Sequence, residues 1–169
     1  MTKKILVKIG ELLTLFPSSL VVVYGPNGSG KTTLLKKIAL SHVFPGENIQ
    51  IEFPAAYLGH KFGTKLSQSV KDYLLFCLGA MDPAYLTRYS LKEDAKIGEL
   101  SFGQIQKVGL IRILMSKEPI WILDEPLAHV DEVSKNLFLE DLNAYLASGG
   151  AAIIASHDTF PLPHESIYL

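Results

Sequence analysis

Glycines recur in a short segment that ends in a lysine and a threonine, Gly25-Pro-Asn-Gly-Ser-Gly-Lys31-Thr32. The segment matches the pattern G-x-x-x-x-G-K-[ST], which binds the phosphates of a nucleoside triphosphate. Glycines let the backbone turn tightly and bring its N–H groups close to phosphate oxygens. Lys31 would place a positive charge at the β- and γ-phosphates, and the Thr32 hydroxyl would reach Mg²⁺. The predicted nucleotide-binding residues are Gly25, Pro26, Asn27, Gly28, Ser29, Gly30, Lys31, Thr32 and Thr33.

The residues on either side of this loop favour a strand and a helix. Leu20–Tyr24 is a short apolar run, and Lys31–Leu40 has the spacing of a helix. The N-terminus of that helix would point at the phosphates. A glycine-rich turn without a ligand is the alternative, and the flanking strand and helix count against it.

Two carboxylates follow a second apolar run, Ile120-Trp-Ile-Leu-Asp124-Glu125. Asp124 is placed to hold Mg²⁺ beside Thr32, and Glu125 can polarise an attacking water. A third apolar run, Ala151–Ala155, leads into Ser156 and His157. Taken singly, Glu125 could instead be a surface carboxylate at a strand end, and His157 an ordinary loop histidine.

Two further segments begin predicted helices. Leu100-Ser-Phe-Gly-Gln104 places Ser101 as an N-cap, and Ala128-His-Val-Asp131 places Asp131 as another. Either segment alone is a weak signal, because serine and aspartate are common at helix starts.

In this order the motifs resemble the ATP-binding cassette (ABC) family, and the resemblance runs from about residue 25 to residue 158. In that family, two cassettes enclose two ATP molecules. The resemblance implies that Ser101, Gly103 and Gln104 contact ATP held by the partner cassette, and that Asp131 links the two sites across the dimer.

The same resemblance implies roles for the strand-end residues. His157 would touch the γ-phosphate and position the water, so Glu125 and His157 are the candidate catalytic residues. Thr32 and Asp124 are the candidate Mg²⁺ ligands. ATP and Mg²⁺ are the implied substrate and cofactor.

A shorter phrase, Tyr57-Leu-Gly-His-Lys-Phe-Gly63, is similar to the ATP-binding subunit of the haem exporters of cytochrome c biogenesis. The chain departs from the family at Lys61, where glutamine is usual, and at Phe102, where a small residue is usual. Lysine offers only donors and cannot coordinate Mg²⁺. Only Phe16 and Tyr24 precede the loop as aromatic candidates for stacking on adenine, and neither lies at a convincing spacing.

Alternating strands and helices predict an α/β fold. The expected class is a P-loop NTPase with a mainly parallel sheet flanked by helices, a small antiparallel part and a reduced helical subdomain. Residues 1–169 would form a single ABC-type nucleotide-binding domain. The predicted strands are Ile5–Ile9, Leu20–Tyr24, Ile49–Phe53, Ala56–Leu58, Ile120–Leu123 and Ala151–Ala155; the predicted helices are Lys31–Leu40, Ser69–Gly79, Gly103–Met115 and Asp131–Ala147. The segment from Asp82 to Glu99 is expected to be the least regular.

The composition indicates which classes of protein and partner to expect. A hydrophobic content of 48% and a charged content of 20% are typical of a compact folded protein. A net charge of −1 gives no general reason to expect nucleic-acid binding. Met1-Thr-Lys-Lys4 is not followed by an uninterrupted apolar stretch, so no targeting segment is expected. The single cysteine, Cys77, is expected to be a buried thiol.

The predicted function is ATP binding and hydrolysis in a transporter, with haem export or cytochrome c maturation as the pathway. The expected partners are a transmembrane transporter subunit and a second nucleotide-binding domain, as a homodimer on ATP binding. The expected location is peripheral, on the cytoplasmic side of an inner or organellar membrane. The alternatives are a soluble ABC ATPase acting on nucleic acid or an assembly, and a nucleotide-gated scaffold with little turnover.

Overall fold

Strands and helices alternate along the chain in a computed structural model that describes residues 7–41, 49–59 and 67–169. Its contacts divide the chain into two compact units. The first unit consists of Met1–Gly59, Glu118–Pro126 and Leu139–Leu169, and the second of His60–Lys117 and Leu127–Phe138. The strands are β1 Val7–Ile9, β2 Leu13–Leu15, β3 Leu20–Tyr24, β4 Ile49–Ile51, β5 Ala55–Leu58, β6 Ile120–Asp124, β7 Ala151–Ser156 and β8 Glu165–Tyr168. The helices are α1 Lys31–Leu40, α2 Val70–Leu78, α3 Pro83–Arg88, α4 Phe102–Leu114 and α5 Glu132–Ala147, with a 3₁₀ turn at Ile97–Glu99.

A parallel sheet is the main element of the first unit. Its five strands are arranged in the order β5-β6-β7-β3-β8. Every residue of β6 and β7 is buried, as expected for strands that are covered on both faces. The pairing places Tyr24 opposite Ser156 and Asp124 opposite Ala155. Because the three central strands run in the same direction, their carboxyl ends meet at one edge of the sheet.

A second, antiparallel sheet in the same unit has three strands in the order β2-β1-β4. One hydrophobic cluster joins this sheet, helix α1 and one face of the parallel sheet. Its members include Val7 and Leu15 from the small sheet, Leu35 and Ile38 from α1, and Val23 from β3. Burial of these side chains therefore holds α1 against one face of the sheet and keeps the loop before α1 at the carboxyl ends of the strands.

The second unit is mainly helical. Helix α2 begins at the cap Ser69, whose hydroxyl accepts a hydrogen bond from the Asp72 N–H at 3.0 Å. It ends at Gly79, which has a φ of 71°. Helix α2 packs against α4, whose apolar positions include the fully buried Val108 and Ile111. Within the described residues, no helix is long and apolar enough to cross a membrane.

The structure corrects several expectations. Strands β2 and β8 were not predicted, and the segment from Asp82 to Glu99 contains α3 and a 3₁₀ turn. Helix α3 forms because the Asp82 side chain accepts a hydrogen bond from the Ala84 N–H and Pro83 occupies the first turn. The prediction of a buried Cys77 was wrong, since this thiol is exposed in the last turn of α2. The buried side chains of that helix belong to its first half.

Candidate functional site

The glycine-rich loop begins directly after the buried strand β3 and leads into α1. Gly28 and Gly30 have φ angles of 85° and 100°, which residues with a side chain rarely adopt. A Cβ at Gly25 would meet the Ser29 hydroxyl and would lie 2.9 Å from the Leu169 carbonyl oxygen. Glycine is therefore required at these positions for the loop to fold tightly over the sheet edge.

The start of α1 is suited to an anion. Its cap residue Gly30 offers no side-chain hydrogen bond, and no acidic residue lies in the first turn. The first N–H groups of a helix carry a partial positive charge, so they attract phosphate. Lys31 is only 7% exposed. Its ammonium group donates to the carbonyl oxygens of Gly25 at 2.6 Å and Pro26 at 3.2 Å, which holds the charge over the loop.

Asp124 ends β6 at the same edge of the sheet and is 1% exposed. Both of its carboxylate oxygens are buried and have no hydrogen-bond partner among the described residues. Burial and the nearby Asp124 charge raise the pKa of the Tyr57 hydroxyl to about 12, so this hydroxyl stays neutral. A buried carboxylate costs free energy unless it is paired or binds a cation. Asp124 is thus suited to a hard divalent cation, which prefers oxygen ligands.

Glu125 follows Asp124 with a φ of 51°. Its backbone N–H donates to the Ala155 carbonyl oxygen at 3.0 Å, so the strained residue is fixed to the adjacent strand β7. The Glu125 carboxylate lies 2.8 Å from Nδ1 of His157, which comes directly after β7. A carboxylate oxygen accepts, so the contact is a hydrogen bond in the tautomer that carries the ring proton on Nδ1. The Glu125 side chain is 11% exposed and the His157 side chain 54% exposed.

The second unit holds the other predicted residues. Ser101 caps α4 by accepting from the Gln104 N–H at 3.2 Å, and the Gln104 side chain accepts from the Ser101 N–H at 2.9 Å. These reciprocal bonds form a capping box, which satisfies two N–H groups at the start of α4.

Asp131 caps α5 by accepting from the Ser134 N–H at 3.0 Å. Its carboxylate also accepts from Lys107 at 3.1 Å. These hydrogen bonds, the one from the Ser134 backbone first, lower the pKa of Asp131 to about 2. Sequence reasoning found Asp131 as a cap but missed Lys107, whose position on α4 gives no signal by itself.

The structure thus groups the predicted residues into two sets. The loop, Asp124, Glu125 and His157 belong to the first unit, whereas Ser101, Gly103, Gln104 and Asp131 belong to the second. Lys61 lies outside the described residues. Within the part of the chain that the structure describes, no group of three or more histidine, cysteine, aspartate or glutamate side chains could hold a metal ion.

Curated relatives match the chain over most of its length. The cytochrome c biogenesis ATP-binding export protein CcmA of Ruegeria pomeroyi is 40% identical over 164 residues, which cover 92% of this chain and 80% of that protein. The CcmA of Rhodobacter capsulatus is 38% identical and covers 88% of this chain and 72% of that protein. The chain belongs to the CcmA family of ABC transporter proteins.

Two further comparisons agree with this assignment. A family profile described as ABC transporter matches residues 78–128. A solved structure of an ABC transporter ATP-binding protein from Pyrococcus furiosus has a TM-score of 0.77 and 26% identity, covering 96% of each chain. The predicted family, the predicted cassette fold and the prediction of an ABC-type ATP hydrolase are confirmed. The alternative of a non-transport ATPase is not favoured.

Proposed function

We propose that this protein is the ATP-hydrolysing subunit of a membrane exporter that serves cytochrome c biogenesis, with haem as the exported cargo. The observation that carries the catalytic part is the 2.8 Å contact between Glu125 and His157 at the sheet edge that also bears the glycine-rich loop. The pathway rests on the CcmA relatives, whose name states cytochrome c biogenesis and export.

ATP would be held by the loop between β3 and α1. The backbone N–H groups of residues 27–30 and the N-terminus of α1 would bind the β- and γ-phosphates. Lys31 would neutralise part of their charge after exchanging its contacts with the loop carbonyl oxygens for phosphate. The predicted contacts of Asn27, Ser29 and Thr33 belong to the same proposal.

Thr32 and Asp124 would hold Mg²⁺, which fits a buried carboxylate whose oxygens have no hydrogen-bond partner within the described ranges. When bound, this cation supplies charge neutralisation at the β- and γ-phosphates. The hydroxyl and the carboxylate are two oxygen ligands, and Mg²⁺ sites of this class commonly take the remaining ligands from phosphate and water.

Glu125 would accept a proton from the attacking water. Its partner His157 would hold the carboxylate in place through Nδ1–H. Nε2, which lies 3.4 Å from an Asp158 carboxylate oxygen, would exchange that contact for a hydrogen bond from the water. The backbone bond from Glu125 to Ala155 supports this role, because it limits the motion of a residue that must accept a proton at a defined point.

The whole chain, residues 1–169, would act as one nucleotide-binding domain, and two copies would enclose ATP. Ser101, Gly103 and Gln104 at the start of α4 would contact the nucleotide of the partner copy, and Asp131 would link the two sites. The membrane part of the exporter would be a separate transmembrane subunit, with this protein bound at its cytoplasmic face.

A complementation experiment tests the pathway. Cells that lack their own ATP-binding subunit of cytochrome c biogenesis would receive this chain, its Glu125→Gln variant or an empty vector. We expect the wild type alone to restore covalently bound haem in c-type cytochromes, measured by haem staining after denaturing electrophoresis. Restoration by both forms would indicate a scaffold without turnover. Failure of a wild type that hydrolyses ATP in vitro would refute the pathway but not the ATPase.

A further inference from the structure

Two aromatic side chains connect the start of α4 with the loop before α5. The rings of Phe102 and His129 meet edge to face, with centroids 4.8 Å apart and an interplanar angle of 87°. Phe102 is nevertheless 53% exposed, so core burial alone does not explain the contact. Edge-to-face pairs of this kind add free energy beyond the area that they bury.

The backbones of Gly103 and His129 also lie close together. A Cβ at Gly103 would overlap the His129 carbonyl oxygen, so only glycine permits this approach. His129 itself has a φ of 61°, a left-handed conformation that histidine and asparagine tolerate better than most residues. The glycine at position 103 and the positive φ of His129 therefore occur on the two sides of the same contact.

A third contact lies one turn further along α4. Lys107 donates to the Asp131 carboxylate at 3.1 Å, and the Lys107 side chain is only 12% exposed. The start of α4, residues 101–107, thus contacts residues 129–131 at three points. These are the ring pair, the close backbone approach and the ion pair. All of these residues belong to the second unit.

We infer that Phe102 and His129 are positioning residues that hold the start of α4 and the loop 127–131 as one body. This inference rests on the proposed function, in which Ser101 and Gly103 contact ATP in the partner copy and Asp131 links the two sites. With the pair intact, the two segments would reach a second copy in a fixed relation, and fewer conformations would be lost when the dimer forms.

Four variants test the pair. Phe102→Ala removes one ring, and His129→Asn removes the other while keeping a residue that tolerates the positive φ. Phe102→Tyr retains the aromatic edge and serves as the conservative rescue. Phe76→Ala is the matched control, because Phe76 is 84% exposed on α2 in the same unit and takes no part in the contact.

Hydrogen exchange without nucleotide gives the first measurement. We expect Phe102→Ala and His129→Asn to speed amide exchange in residues 127–131 by about 2- to 10-fold, as the loss of one ring pair predicts. Helix α2 should not change, and Phe76→Ala and Phe102→Tyr should resemble the wild type. Unchanged exchange in the loop would overturn the inference whether or not the chain binds ATP.

ATP-dependent dimerisation gives the second measurement. It is followed by analytical ultracentrifugation in a Glu125→Gln background, which blocks turnover. Phe102→Ala and His129→Asn should each raise the dimer Kd by about 2- to 10-fold, and the variant that carries both substitutions should raise it no further. The affinity of the monomer for ATP should stay constant. Effects that multiply in the double variant, or an equal loss of monomer ATP affinity, would overturn the inference. A parent protein that binds no ATP would instead refute the proposed function.

Discussion

Glu125 occupies a backbone conformation that costs free energy. A positive φ of 51° is uncommon for a residue with a side chain, and the structure holds it with the hydrogen bond to Ala155. Strain of this kind persists only where surrounding contacts fix it, and it is concentrated at functional sites. The conformation and the His157 contact both direct the carboxylate to the sheet edge where the nucleotide is proposed to bind.

Glu125→Gln should preserve ATP affinity and lower the ATPase rate by about 10²- to 10⁴-fold, because an amide cannot accept the proton of the water. Steady-state phosphate release and calorimetric titration measure the two quantities. Glu132→Gln is the control, since Glu132 is 80% exposed at the start of α5 and forms a surface ion pair with Lys135. Wild-type turnover in Glu125→Gln would show that the carboxylate has a structural role only.

Asp131 should make folding stability depend on pH in the acid range. Its pKa is about 2 in the folded protein, lowered by the Ser134 and Lys107 hydrogen bonds, against about 3.9 in an unfolded chain. A lowered pKa means that the stabilisation is complete above the unfolded value and disappears as pH falls from about 4 towards 2.

Asp131→Asn tests this pH dependence, because asparagine still caps a helix but cannot pair with Lys107 as an anion. The wild type should be the more stable protein at pH 7 in urea unfolding, and the difference should shrink between about pH 4 and pH 2. A difference that is constant over this range would indicate that the ionised carboxylate does not contribute.

At the scale of the elements, a capping serine stabilises the start of helix α2 in the second unit. Ser69 is 7% exposed and caps α2, and the backbone around it pairs with the segment before the 3₁₀ turn, at Ser69 opposite Lys96. We expect Ser69→Ala to lower the free energy of unfolding by about 1 kcal/mol, through the loss of the bond to the Asp72 N–H. Chemical denaturation measures the change, and the exposed Ser67→Ala is the control. Equal effects of the two substitutions would contradict the capping role.

The sequence predicted the elements with the strongest patterns. Strand β3 and helix α1 have the predicted bounds, Leu20–Tyr24 and Lys31–Leu40. Buried apolar runs and a glycine-rich start leave few alternatives there. Strand β8 was missed because only Ile167 of its residues is buried, so its pattern is weak. Helix α3 could have been found from Asp82 and Pro83, which are common at helix starts.

The candidate site was predictable only in part. The order of the motifs indicated which residues to consider. Because β6 and β7 are parallel neighbours, Asp124 at the end of β6 and His157 directly after β7 lie at the same edge of the sheet. The Phe102–His129 contact could not be predicted, because it joins distant positions and depends on the positive φ of His129. Lys107 and Asp131 are likewise distant in the sequence, and their 3.1 Å contact gives no sequence signal.

At the scale of the whole molecule, the two sets of predicted residues lie in different units of one chain. In the proposed dimer, the loop set of one copy would bind the nucleotide and the α4 set of the other would complete the site. Assembly would then depend on nucleotide, because ATP is the group that both sets contact.

Lys31→Ala in a Glu125→Gln background tests this dependence. Removing the ammonium group leaves the β- and γ-phosphates with backbone N–H groups alone, so ATP affinity should fall. The Glu125→Gln parent should elute as a dimer on size exclusion with ATP and Mg²⁺ and as a monomer without them, and Lys31→Ala should stay monomeric in both conditions. Lys8→Ala, an exposed lysine of β1, is the control that should leave the ATP-dependent dimer unchanged. A dimer that forms equally without nucleotide would show that the copies associate through another surface, and ATP would then not be the link between the two sets.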